Sequence, residues 1–415
     1  MRFLHLADLH LGKSVYGISL IDSDDQKVWV ERFLDKAREL KPDAAVIAGD
    51  VYDRGQPPGK AVALLSRMVT GLSEMGIPVM MTAGNHDSIR HLSFLSPLLA
   101  KQKVFISSPP GASVELTHAT LEDEYGPVTF WLMPYVYPAM IAQVLEDDGI
   151  RDYETAVRRI LAEQPVDFSK RNVMIAHQNV TANGQEAIRG GSESMVGGIG
   201  QVDYTAFDGF DYAALGHIHS SYPVGRDSVR YAGSPLAYHF NETKQPEKGP
   251  LLVTLSQKGE APAVERVGIE PLHRMREIRD HYDRIRAAML VNSWENEYLK
   301  IVLQDTRVTP AISDFLHETA RGCGSEVLEL TSEYRTFTGE AELSGSREIH
   351  EKPVEELFAG FYTDRNSGVE PDEKDLALMA FVGEMTRATK EQEKPEEEDF
   401  RKILDFVLRQ EVSRE

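Results

Sequence analysis

Short apolar runs alternate with amphipathic stretches through the first half of the chain. Phe3 to Ala7 reads as a strand. Gln26 to Leu40 reads as a helix, because Val30, Phe33, Leu34, Ala37 and Leu40 recur at helical spacing. Ala44 to Ala48 is again strand-like and ends in Gly49. Lys60 to Glu74 carries Val62, Leu65, Val69 and Leu72 on one side of a second helix, and Ile77 to Ala83 is a third strand closed by Gly84. This order predicts parallel strands with helices packed on the sheet. Further strand-like runs, Val128 to Met133, Val173 to Ala176, Tyr212 to Leu215 and Leu251 to Leu255, have fewer helices between them. They predict a second, more mixed sheet. The expected class is α/β (α+β overall), with two sheets face to face and helices outside.

Gly184 to Gly200 is rich in Gly and Ser without periodicity and reads as an exposed loop over the site. The character changes at Pro271. A basic helical stretch (Arg274 to Met289), a strand (Tyr298 to Leu303), a helix (Ala311 to Ala320) and a strand (Glu326 to Leu330) predict a small α+β domain. Beyond about residue 345 the pattern is helical, at Pro353 to Tyr362, Glu373 to Thr389 and Asp399 to Arg409. Such an amphipathic end either docks on another surface or packs back on its own protein. The expected domains are 1–270, 271–345 and 346–415.

With 415 residues, 41% of them hydrophobic, the chain can bury a large core. No apolar run reaches the roughly 18 residues needed to span a bilayer. Met1 to Asp8 turns acidic too soon for a secretory signal, and Cys323 is the single cysteine, so the cytoplasm is the expected compartment. The net charge of −21 is unusual for a protein that handles nucleic acid. Site carboxylates are neutralised when cations bind, however, and many acids crowd between Glu391 and Asp399. Charge therefore leaves a DNA substrate open and suggests that a partner supplies part of the grip.

The candidate chemistry sits where the predicted strands end. Asp8 and His10 follow the first strand, two residues apart, so an extended backbone would aim both at one ion. His217 and His219 repeat the device after Tyr212 to Leu215. Asp50 and Asn85 each follow a glycine, and His177 closes another apolar run. One such element is weak evidence, but five, in a chain with 13 histidines, point to a two-metal site for phosphoester hydrolysis. Mixed oxygen and nitrogen donors without thiolate favour Mn²⁺, with Mg²⁺, Fe²⁺ or Zn²⁺ as alternatives. His86, next to Asn85, is the candidate to protonate the leaving oxygen, with Asp53 orienting it and favouring its charged form.

Asp8-x-His10, Gly49-Asp50-x-x-Asp53, Gly84-Asn85-His86-Asp87, His177 and Gly216-His217-x-His219 resemble the calcineurin-like metallophosphoesterase signature. Leu4 to Gly12, Ala214 to His219 and Tyr231 to Leu236 are most similar to its DNA-repair nuclease branch, the bacterial SbcD family. The resemblance covers residues 1 to about 270 by motif and 271 to about 340 by layout. It implies a four-layer αββα sandwich with a DNA-binding capping domain. One ion would be held by Asp8, His10, Asp50 and His219, the other by Asp50, Asn85, His177 and His217, with His86 acting on the leaving group. It further implies Mn²⁺-dependent 3′→5′ exonuclease activity on duplex ends and endonuclease activity on single strands or hairpins. The implied partners are DNA, a second copy of the chain, and an SbcC-type ATPase whose coiled coil meets the helical end.

Arg54 gives an Asp53-Arg54-Gly55 stretch close to that of protein phosphatases, so a phosphomonoesterase on the same metals is the rival reading. A scaffold without catalysis is disfavoured because every site position is filled. Arg54 and Arg90 are candidate phosphate contacts, beside His91. His5 has the opposite strand parity to Asp8 and reads as a packed histidine, and His239 is unassigned.

Overall fold

Strands covered on both faces read as near-continuous apolar runs, as Ala44 to Ala48 does and Phe3 to Ala7 does apart from His5. In the computed structural model, the described residues are 1–111, 113–182, 184, 200–244, 247–291 and 294–334, with isolated positions between 358 and 379. The chain opens with β1 (Arg2–Leu6), α1 (Asp25–Leu40), β2 (Ala44–Ala48), α2 (Gly59–Glu74), β3 (Val79–Thr82) and β4 (Val104–Ile106). It continues with β5 (Thr117–Asp123), β6 (Gly126–Met133), α3 (Pro138–Leu145), α4 (Tyr153–Ala162), β7 (Arg171–His177) and β8 (Tyr212–Gly216). After β9 (Pro223–Val224) and β10 (Arg226–Tyr231), β11 (Leu251–Thr254) and β12 (Ala263–Arg266) return to the first sheet.

The first six-stranded sheet has the order β12-β11-β1-β2-β3-β4, with β1 to β4 mutually parallel and β11 and β12 antiparallel at one edge. The second has the order β9-β10-β8-β7-β6-β5, parallel through β10, β8, β7 and β6. Alternation divides the side chains between two cores. Phe3, Val46 and Met80 meet Phe130, Val173, Ile175 and Tyr212 between the sheets. Leu4, Leu6, Ala45 and Ile47 face the other way, onto Trp29, Phe33, Leu65 and Met68 of α1 and α2. On the far side, Ile141, Val157 and Ile160 of α3 and α4 cover Trp131, Met174 and Leu215. The result is the expected αββα layering.

Residues 274–332 build a smaller three-stranded parallel sheet, from β13 (Arg274–Asp280), β14 (Glu297–Leu303) and β15 (Glu326–Ser332), with α5 (Tyr282–Leu290) and α6 (Pro310–Gly322). Arg274 to Met289, expected as one helix, is a strand followed by a helix. Arg276 bonds Glu297 of β14, Arg279 bonds Glu333, and Ile278 enters the small core. Long cationic side chains satisfied across a sheet override a helix-like composition. Residues 1–334 cluster as one unit and 335–415 as another. The loop expected at Gly184 to Gly200 and the three C-terminal helices lie mostly outside the described residues. Among those described, Phe358, Ala359, Tyr362, Thr363, Asp375, Leu376 and Met379 are helical. No helix among them is long and apolar enough to cross a membrane.

Asp25, at the start of α1, ties the small sheet to the sandwich. Its carboxylate lies 3.1 Å from His273 Nδ1 and accepts bonds from Tyr298 Oη (2.7 Å) and Ser23 Oγ (2.6 Å). Arg32, further along α1, donates to the Pro271 carbonyl at 3.0 Å. Burial opposes the Asp25 charge, but His273, Ser23 and Tyr298 outweigh it and hold the carboxyl below its usual range. Asp25→Ala should therefore cost about 1–3 kcal/mol of stability in urea denaturation at neutral pH. A carboxyl lowered in the folded state stabilises above the ordinary carboxylate range and ceases to do so as pH falls through its folded value. The gap between wild type and variant should accordingly narrow on acidification.

Candidate metal centre

The parallel strands deliver the predicted residues to one end of the sandwich. Asp8 and His10 follow β1, Asp50 follows β2, Asn85 and His86 follow β3, His177 ends β7, and His217 and His219 follow β8. Main-chain bonds knit the first two loops together: Asp8 N to Gly49 O (3.0 Å), His10 N to Asp50 O (2.9 Å) and Leu11 N to Val51 O (2.9 Å). The way in which Asp8 and His10 converge differs from expectation. β1 stops at Leu6, and Asp8 (φ 54°) and His10 (φ 41°) occupy the left-handed region, as do Asp50 (φ 47°) and His217 (φ 101°). A tight turn, and not an extended strand, aims them. Each such non-glycine conformation costs on the order of 1–3 kcal/mol and persists only where the surroundings enforce it.

Glycine makes the approach possible at two points. Gly49 has φ +82°, and a Cβ there would fall 2.3 Å from His177 Nδ1. At Gly84 a Cβ would fall 2.1 Å from Asp50 Oδ1.

Three overlapping groups of donor atoms result among the described residues, one of them being His10, Asp50 and His86. Asp8, His10 and His219 have ligand atoms within 4.8 Å of one another, and His10 Nε2 lies 3.1 Å from His219 Nε2. Asp8, Asp50 and His177 form the third. His177 Nδ1 donates to the Ala48 carbonyl (2.8 Å), which turns Nε2 toward Asn85 Oδ1 (3.1 Å) and Asp50 Oδ2 (3.2 Å). Asn85 Oδ1 is also 3.1 Å from His217 Nδ1, and the His217 amide donates to Asp8 Oδ1 at 3.0 Å. Burial pushes Asp8 up to about 6 against the pull of His177 and His219. His177 rises to about 9: burial opposes its charge, but Asp50 and Asp8 prevail. Asp50 is held well below the carboxylate range, because His177, His10 and His86 overcome its burial. Burial lowers His10 to about 4, so this ring is neutral. Acceptor atoms and imidazole lone pairs thus converge in a buried space. Divalent cations satisfy such a donor set directly, whereas protons do so only in part.

His86 stands edge-on to His10, with ring centroids 4.8 Å apart, and its amide donates to Asp50 Oδ1 at 2.9 Å. The sequence predicts the Asp53 carboxylate on His86. The structure instead holds His86 Nδ1 on the Asp53 main-chain carbonyl (2.9 Å), while the carboxylate bonds Lys13 Nζ (2.9 Å) and lies 3.5 Å from His10 Nδ1. Arg54 is exposed on the loop after Asp50, and Arg90 is exposed in the short helix Ile89–Leu92. His91 stacks near Tyr52, with centroids 6.1 Å apart. His5 is buried between the sheets on Tyr212 Oη (3.1 Å) and the Leu215 carbonyl, and burial lowers it to about 3. His239 lies beside Tyr16.

Three supporting residues carry little or no mark in the sequence. Asp87 accepts from the amides of Val51 (3.0 Å), Tyr52 (2.9 Å) and Gly84 (2.9 Å), joining the Asp50 and Asn85 loops. Tyr238 Oη donates to the Leu9 carbonyl (2.8 Å), and its ring packs edge-on against His10 and His219. Glu242 lies behind His219, with Oε1 3.4 Å from Nδ1, and Oε2 receives Lys248 Nζ at 2.8 Å. The only signal for Asp87 was its place in the Gly84-Asn85-His86-Asp87 stretch. No spacing marks Tyr238 or Glu242.

The sequence profile of the calcineurin-like phosphoesterases matches residues 1–221. The chain belongs to that family. A second profile, described as the C-terminal domain of the type 5 capsule protein repressor, matches residues 271–366. The SbcD component of the nuclease SbcCD from Staphylococcus saprophyticus subsp. saprophyticus is 32% identical over 310 residues, covering 73% of this chain and 78% of that protein. The likeness places this phosphoesterase in the SbcD branch and makes it a metal-dependent hydrolase. A carboxylate behind a ligating imidazole fixes its tautomer and raises its basicity, and losing one typically costs 10- to 100-fold in metal affinity. Glu242→Gln should weaken Mn²⁺ binding by about that factor in isothermal titration, with the circular dichroism spectrum unchanged.

Proposed function

We propose that this phosphoesterase is an Mn²⁺-dependent DNA nuclease, acting as a 3′→5′ exonuclease on duplex ends and an endonuclease on single strands and hairpins. The observation that carries the reading is the set of overlapping donor groups, linked through Asp8 and through Asp50. Asp50 Oδ2 lies 3.6 Å from His10 Nε2 and 3.2 Å from His177 Nε2. Asp8, His10, Asp50 and His219 would hold one ion, and Asp50, Asn85, His177 and His217 the other, with Asp50 shared. When bound, such a pair of cations supplies a nucleophile at neutral pH and charge stabilisation for the phosphoryl oxygens. His86, fixed at Nδ1 by the Asp53 carbonyl, presents the other side of its ring for the leaving oxygen. Arg54 and Arg90 would meet flanking phosphates. The choice of DNA rests on likeness to a component of a nuclease.

The reading extends to partners. An SbcC-type ATPase would engage the helical region 346–415 and help the sandwich and the capping domain (271–345) reach duplex DNA in the cytoplasm, at the nucleoid. A homodimer is supported by a ridge of exposed apolar side chains after the His86 loop, namely Phe94 (70%), Leu95 (49%) and Leu98 (57%).

His86→Ala should keep its metal content by elemental analysis yet lose about 10²- to 10⁴-fold in cleavage of hairpin and end-labelled duplex DNA. Strong turnover of 4-nitrophenyl phosphate by the wild type, with no DNA cut, would overturn the choice of substrate. For the dimer, light scattering should give twice the chain mass of 46.5 kDa, and Phe94→Ser with Leu98→Glu should halve it. A wild type at single-chain mass would remove the dimer.

A further inference from the structure

A group of tyrosines borders the donor cluster and has no part in holding it. β6 ends at Met133, and the chain runs on through Pro134, Tyr135, Val136 and Tyr137 before α3 begins at Pro138. Tyr137 is extended (φ −106°, ψ 127°), and alternation sends Val136 into the core (1% exposed) and the two tyrosines to the opposite face. The Tyr135 amide donates to the Ala83 carbonyl at 2.8 Å, which pins this stretch beside the Asn85 loop. The Tyr135 ring centroid is 6.3 Å from those of both His177 and His217, and 5.1 Å from that of Tyr137. Tyr135 Oη bonds Tyr153 Oη at 3.2 Å, which anchors the inner ring from behind. Tyr137, at the outer edge, is 51% exposed. Burial pushes both the Tyr135 and Tyr137 phenols up, so they stay neutral beside a phosphate.

We propose that Tyr135 and Tyr137 form a stacking step for an unpaired nucleobase adjoining the scissile phosphodiester, an assignment that rests on the nuclease reading above. A base is separated from its phosphate by one sugar, so a substrate held at the donor cluster carries its neighbouring base toward these rings. Tyr135 is too constrained to serve alone, being bonded through Oη and packed on two imidazoles. Tyr137 offers the open face. Every base has a π-face, so the step accepts any sequence. That tolerance suits an enzyme that degrades strands progressively.

The test uses the full chain and a single-stranded oligonucleotide with 2-aminopurine at its 3′ nucleotide, bound with Mn²⁺ in the His86→Ala background. Stacking should quench the fluorophore. Adding Tyr137→Ala should restore emission and weaken binding about 5- to 150-fold, whereas Tyr137→Trp should keep the quench. On a strand abasic at the 3′ nucleotide, Tyr137→Ala should change little. Undiminished quenching in Tyr137→Ala, or equal loss on the abasic strand, would overturn the stacking step. DNA cleavage by the wild type with no quench would remove this assignment alone. Failure of the wild type to bind or cut any oligonucleotide would remove the nuclease reading along with it.

Discussion

His177 and Asp50 meet across the seam between the two sheets, with Nε2 and Oδ2 3.2 Å apart. One comes from β7 in the second sheet and the other from the end of β2 in the first. The rest of the centre is arranged around that meeting. Gly49 leaves room for the imidazole and Gly84 for the carboxylate. The Ala48 carbonyl fixes the ring, and Asn85 and His217 close on the same side. The sandwich therefore brings strand ends from both layers within reach of the same ions. A single sheet could line up its own loops but could not surround a buried site in this way.

The electrostatics follow from the same crowding. Asp8 and Asp87 are both pushed up to about 6 by burial, while Asp50 keeps its charge at their expense. His177 answers by holding a proton far above the usual range of a histidine. A cation held here would displace the proton on His177, since a metal ligand must be deprotonated. Cation binding and net deprotonation are coupled, and ions that bind the folded chain stabilise it by mass action.

Much of this was legible in the sequence, for identifiable reasons. The strands β1, β2, β3, β7 and β8 announce themselves because burial on both faces forces continuous apolar runs. The donors announce themselves because each follows such a run, often after glycine. The failures have a common cause, which is that partners distant in sequence decide them. Asp53 looked like the orienting group of His86, but Lys13 and His10 claim its carboxylate and leave His86 the carbonyl. Arg274 to Asp280 reads as helix until Glu297 and Glu333 are beside it. Glu242 and Tyr238 serve the centre from a segment that pattern alone leaves blank. The left-handed backbone at Asp8, His10, Asp50 and His217 was invisible for a related reason: only contacts made elsewhere enforce it.

The return of β11 to the first sheet sets a condition on biosynthesis. β1 pairs on one side with β2 and on the other with β11, in the register Arg2 with Thr254. Until the ribosome has delivered that distant strand, β1 is an open edge with unpaired amides and carbonyls. At roughly 5–20 residues per second, that exposure lasts on the order of tens of seconds. Throughout that interval the strand leading to Asp8 and His10 is a template for wrong pairing with another nascent chain. The site is thus among the last features of the sandwich to become permanent, although its first donors are among the first residues made.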